Sequence, residues 1–75
     1  MRELIVYVAK GLVESPDEVR VTEVEERSYI VYQLEVAPGD VGKVIGRGGR
    51  IANALRVLVK AGAARQNRRA VLEIL

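Results

Sequence analysis

Val44-Ile45-Gly46-Arg47-Gly48-Gly49-Arg50-Ile51 places a glycine-framed, arginine-bearing turn between two apolar, helix-patterned stretches, with no acidic side chain in it. Glycine lets a backbone approach a ligand closely and adopt dihedrals that a Cβ forbids. A helix that follows such a turn offers unpaired N–H groups and the positive end of its dipole to an anion. Arg47 and Arg50 add full charges at the same place. The combination suits a phosphate backbone.

Outward from the turn, the spacing predicts a helix from about Arg50 to Ala63, with Ile51, Leu55, Leu58, Val59 and Gly62 on its apolar face. On the other side, Ala37-Pro38-Gly39-Asp40 opens a short helix. Pro38 stands near its first position, Asp40 complements the N-terminal dipole, Val41, Val44 and Ile45 form its apolar side, and Gly46 ends it. Before that, Ile30, Tyr32, Leu34 and Val36 alternate with Tyr29, Val31, Gln33 and Glu35, the period-two pattern of a half-buried strand. Val19–Val24 reads as a polar-rich strand at a sheet edge, joined to the next strand by a turn at Glu25-Glu26-Arg27-Ser28. Residues 2–13 read as an amphipathic helix with Leu4, Ile5, Val8 and Leu12 on one side, stopped by Ser15-Pro16-Asp17. Ala70–Leu75 closes the chain as a strand, with Leu72 and Ile74 facing inward.

This order, α-β-β-α-α-β, fixes a fold class. The first two strands pair as an antiparallel hairpin, and a right-handed crossover through two helices lays the last strand parallel beside the second. An α+β fold follows: a three-stranded mixed sheet with three helices on one face, in one domain over residues 1–75. The open sheet face is expected to show Tyr29, Val31 and Val71.

Charge is divided between the halves. Residues 1–40 carry nine acids against four bases, while residues 41–75 carry eight bases against the single acid Glu73. The halves stand at −5 and +7 in a chain of net charge +2, an imbalance that points to a nucleic-acid or membrane partner. There is no cysteine, so no disulfide framework, and a cytoplasmic address is expected. No apolar run is long enough to span a bilayer, so no membrane partner is expected. Catalysis has little to stand on, and an enzyme is not expected. His and Cys are absent, and the aliphatic hydroxyls Ser15, Thr22 and Ser28 have no plausible base nearby. The acids show no metal-binding pattern, and the glycine turn lacks the G-x-x-x-x-G-K-[ST] spacing of a P-loop, so neither a cofactor, a metal nor a small-molecule substrate is expected.

Val44-Ile45-Gly46-Arg47-Gly48-Gly49-Arg50 resembles the V-I-G-x-x-G segment of the KH (K-homology) domain, and the element order resembles its type II arrangement. Over Arg2–Leu75 the chain is similar to the small single-KH proteins of bacteria, the KhpA family. Pro16-Asp17-Glu18, Val36–Lys43 and the ending Val71-Leu72-Glu73-Ile74-Leu75 carry the likeness further.

In KH domains the G-x-x-G turn clamps the backbone of about four single-stranded nucleotides, whose bases lie in an adjacent groove. The resemblance therefore implies a clamp of Gly46, Arg47, Gly48 and Gly49, acting through the Gly48 and Gly49 amides and the Arg47 charge. Lys43 and Arg50 flank the phosphate path. Val44, Ile45 and Ile51, with Leu34 and Val36, line the groove, and Asn53 is the candidate base-edge reader. It also implies an RNA chaperone that forms a homodimer, or a heterodimer with a larger KH protein (KhpB, also called Jag or EloR), and influences cell shape and envelope growth. The alternative is a protein-interaction subunit with a vestigial turn. Two positions depart from the family pattern: Gly48 stands where a larger polar or basic residue is common, and Ala52 where an aliphatic is. Arg56 and Lys60 read as solvent-facing charges, Arg65, Arg68 and Arg69 as diffuse attraction, and Tyr7, Tyr29 and Tyr32 as packing residues.

Overall fold

A computed structural model describes residues Met1–Leu75. Helix α1 (Arg2–Leu12) leads to a hairpin of β1 (Arg20–Glu25) and β2 (Ile30–Glu35). Helices α2 (Val41–Ile45) and α3 (Arg50–Ala64) then carry the chain to β3 (Ala70–Ile74). Single 3₁₀ turns at Pro16–Glu18, Pro38–Asp40 and Arg47–Gly49 join these elements. The strand order is β1-β2-β3, antiparallel between the first pair and parallel between the second. This is the expected α+β arrangement.

β2 holds the centre because its alternation is complete. Ile30, Tyr32 and Leu34 face the helices and are buried, while Val31, Gln33 and Glu35 face away. Its register aligns Val21 with Leu34 on one side, and Tyr32 with Leu72 on the other. The opposite sheet face carries a valine row, Val24–Val31–Val71, with Tyr29 at its end. That face is uncovered, as expected.

The helices close the other face, with a shift in which residues do it. On α1 the buried pair is Ile5 and Ala9, and Leu4 is exposed. On α3 the inward row is Ala52, Leu55, Val59 and Ala63, while Leu58 is exposed and Ile51 packs at the margin. The apolar pattern is wider than the buried stripe. Alanines at the line of closest approach let the helix backbones sit close to their neighbours, and this turns the bulkier residues to the side. Gly62 shows the same economy of space: a Cβ there meets the Met1 side chain. Two boundaries also move by a residue. β1 ends at Glu25, and the hairpin loop is Glu26–Tyr29, closed by the Glu26 amide donating to the Tyr29 carbonyl at 2.8 Å.

Candidate nucleic-acid interface

α2 is only five residues long, and both of its ends matter. At its start, Asp40 is 3 % exposed. Its carboxylate accepts hydrogen bonds from the backbone amides of Glu14 (3.2 Å) and Ser15 (3.0 Å) and lies 3.6 Å from Lys43 Nζ. Burial alone raises the pKa of a carboxyl, but the two amides and the ammonium outweigh it and hold Asp40 below its ordinary value. Asp40 stands at the N-cap of α2, as expected, and has a second role. It ties the segment after α1 to the start of α2. The Lys43 ammonium, on a partly exposed side chain, lies also 4.0 Å from Glu14 Oε1.

At the other end, Gly46 stops α2 with φ +78°, and its amide donates to the Gly42 carbonyl at 2.9 Å. A Cβ at Gly46 stands 2.7 Å from Ile51 Cγ1, so glycine is required there by both dihedral and space. Gly48 and Gly49 also have positive φ, +64° and +79°, but nothing crowds Gly48. The left-handed backbone at 48 explains why a glycine stands where a larger residue was looked for. The Gly49 amide donates to the Gly46 carbonyl at 3.1 Å. The Gly49 half of the expected amide pair is therefore used internally, which leaves the amides of Arg47 and Gly48 outside these two pairings.

The turn is open to solvent. Arg47, Gly48 and Arg50 are exposed, and neither arginine forms an ion pair. Asn53 is exposed and beside it, with its Nδ2 3.8 Å from the position of a Gly49 Cβ and its Oδ1 accepting from Arg56 Nη1 at 3.5 Å. So Arg47, Gly48, Arg50 and Asn53 share one surface at the amino end of α3, facing the same solvent as the helix dipole.

The expected apolar groove wall does not gather there. Val44, Leu34 and Val36 are buried in the core. Val44 is fully buried in the core, and the central strand has no exposed edge through which Leu34 could reach a ligand. Only Ile45 and the margin of Ile51 come to the surface near the turn. None of the molecule's four grooves includes residues 46–49. Of the tyrosines, Tyr32 is a packing residue, buried, with its hydroxyl pKa raised by burial and by Glu23. Tyr7 and Tyr29 are instead exposed, although Tyr7 stands in an apolar run (Leu4–Ala9).

A family model described as "KhpA/KhpB, KH domain" matches residues 2–74. The chain belongs to this KH-domain family. It is 51% identical to the RNA-binding protein KhpA of Clostridium acetobutylicum and 49% identical to that of Caldanaerobacter subterraneus, in each case over the whole of both chains. The RNA-binding protein KhpA of Chlamydia trachomatis is 44% identical over all of this chain and 96% of its own. No solved structure matches. No helix is long and apolar enough to cross a membrane. Within the family frame, residues 46–49 are the G-x-x-G segment.

Proposed function

We propose that the chain binds single-stranded RNA, without catalysing a reaction, by laying the strand's sugar–phosphate backbone against the tip at Arg47 and Gly48. The observation that carries this reading is the pairing of an exposed, left-handed glycine turn with two arginines that no acid neutralises. Arg47 supplies the charge nearest the tip. The Arg47 and Gly48 amides supply donors, the Arg50 amide being taken by the Arg47 carbonyl, and the Arg50 side chain extends the positive surface. Asn53 stands where a base edge follows the gripped phosphate. With few aromatics in the chain, affinity for a short strand is weak and sequence preference slight.

The family likeness supports a finer reading: an RNA chaperone in the cytoplasm that works with a second KH-bearing chain and affects cell shape and envelope growth. Weak single sites gain avidity when two are joined. One observation favours pairing. Val57 and Leu58 on the outer face of α3 are 66 % and 48 % exposed, and the sheet's valine row is uncovered as well. If the turn were vestigial, these surfaces would be the whole of the function.

The double substitution Arg47→Asp with Gly48→Asp separates the two. Aspartate tolerates the left-handed backbone better than most residues, so the chain stays folded by circular dichroism. The reading expects single-stranded RNA affinity to fall at least about tenfold, since an attractive charge is replaced by two repulsive ones. Unchanged affinity in the folded double variant rejects the turn as the grip and leaves the protein-interaction reading. Light scattering that finds a strict monomer rejects self-pairing.

A further inference from the structure

A cavity of about 440 Å³ lies away from the glycine turn, where the first residue of the chain, the hairpin strands and the end of α3 meet. Ile30, Ala63 and Met1 give it apolar surface, and Tyr32 lines it as well. The Tyr32 side chain is 6 % exposed, and its hydroxyl forms no hydrogen bond within the chain. A buried hydroxyl ordinarily finds a partner, because an unmade bond leaves its desolvation uncompensated. No side-chain nitrogen or oxygen is sealed in the interior without a partner, so this hydroxyl reaches the cavity and not closed core. Burial and the nearby Glu23 charge raise its pKa, which keeps it a neutral hydroxyl.

The charges around the cavity are divided. Glu25 pairs with Arg68 at 3.1 Å, whereas Glu23 and Arg65 are exposed and form no ion pair. The end of α3 adds an acceptor. The Arg65 amide donates to the Ala61 carbonyl, and the Gln66 and Arg68 amides both donate to that of Ala63. The Gly62 carbonyl, which lies between them at the negative end of the helix dipole, is left without a donor. Gly62 lines the cavity too. Three unpaired acceptors therefore border one space: a carboxylate, a hydroxyl and a carbonyl. Arg65 and the Gln66 amide are the unused donors.

We infer that this cavity binds a small zwitterion carrying a primary ammonium, of the class of an α-amino acid with an apolar side chain. An ammonium has three donors and no acceptor, which matches the Glu23 carboxylate, the Tyr32 hydroxyl and the Gly62 carbonyl. A carboxylate on the same ligand suits the Arg65 guanidinium. Ile30, Ala63 and Met1 take the apolar part. Charge complementarity selects the zwitterion, since a bare cation leaves Arg65 unmatched and a bare anion leaves Glu23 unmatched. The site shares no residue with the turn at 46–49, so it stands apart from the RNA-binding reading.

The test is an NMR titration of the ¹⁵N-labelled chain with L-leucine, with isopentylamine, which lacks the carboxylate, and with 4-methylpentanoate, which lacks the ammonium. At up to about 10 mM, L-leucine moves the amide signals of Tyr32, Gly62, Ala63 and Gln66 and leaves those of 46–49 in place. Each truncated compound binds at least about tenfold more weakly. Glu23→Gln and Tyr32→Phe each lower L-leucine affinity about tenfold, and Glu26→Gln, outside the cavity, leaves it unchanged. Glu23 is exposed and unpaired, and the Tyr32 hydroxyl has no partner in the chain, so these variants fold, which circular dichroism checks. If L-leucine moves none of the cavity signals, or if folded Glu23→Gln and Tyr32→Phe bind it as tightly as the parent, the inference is overturned. Equal affinity for isopentylamine and L-leucine also overturns it, and marks the cavity as a seat for a lone ammonium such as a partner's lysine.

Discussion

At the start of α2, Asp40 lies buried, its oxygens occupied by two backbone amides and an ammonium. Seven residues on, past the other end of the helix, Arg47 stands in solvent with no acid near it. The same short element therefore carries one charge inward, as a tie between segments far apart in the chain, and one outward, on a tip with free donors. The glycines divide in the same way. Gly46 is fixed by what packs against it, and Gly48 by its dihedral alone. Charge and glycine content do not distinguish a tie from a binding tip. Local packing does, and the two ends respond to different experiments.

The largest effect is expected at Gly46. Gly46→Ala combines a left-handed dihedral with a Cβ driven against Ile51, and should cost about 3 kcal/mol of stability, or roughly 15 °C in Tm. Asp40→Ala comes next. It leaves the Glu14 and Ser15 amides without their acceptor, and a fall of roughly 10 °C in Tm is expected, with Asp40→Asn losing less because it keeps one acceptor oxygen. Thermal melts of all three variants check both statements, and a Gly46→Ala melt equal to the parent's would erase the contrast between the two glycines.

Acidity sharpens the same contrast. Because Asp40 is held below its ordinary carboxyl pKa of 3.8 in the folded chain, its contribution is complete above that value and disappears as pH falls through the lower folded-state pKa. The parent should therefore lose more Tm than Asp40→Asn on going from neutral pH to strong acid. Parallel curves for the two proteins would show that the carboxylate's charge plays no part in the tie. Gly48→Ala should be milder than either change at the base of the turn, at about 1 kcal/mol, since only the dihedral opposes it. The smallest effect is the salt dependence of tetranucleotide binding. With Arg47 and Arg50 as the cations at the tip, the logarithm of affinity should fall with that of salt at a slope of about −1.4. A slope near zero removes phosphate from the interface.

Much of this was legible in the sequence because the signals were local. The alternation from Ile30 to Val36 gave the central strand, and its parallel partner followed from the two helices in between. Gly46 as a helix stop and the exposed arginines after it were read correctly from the glycine spacing. The errors came from long-range partners and from small side chains. Nothing near Asp40 in sequence announces that its acceptors serve amides 25 and 26 residues earlier. A five-residue helix has no clear periodicity, so the burial of Val44 is not readable from its spacing. Ala9, Ala52 and Ala63 drew less notice than Leu4 and Leu58, yet the close approach of helix to sheet is set by the alanines. The cavity beside Tyr32 is lined by residues from both halves of the chain, brought together by the parallel strand pair.

That parallel pair also governs when the turn becomes useful. Ile30 aligns with Ala70 and Leu34 with Ile74, and no shorter contact can substitute for them. Closing so long a segment costs entropy before any strand pairing repays it, which slows assembly and makes it all-or-none. During synthesis, then, a ribosome that has not yet delivered residues 70–74 holds a chain whose glycine tip is present but unsupported. The fold that frames the tip is therefore completed together with the last strand, as one event.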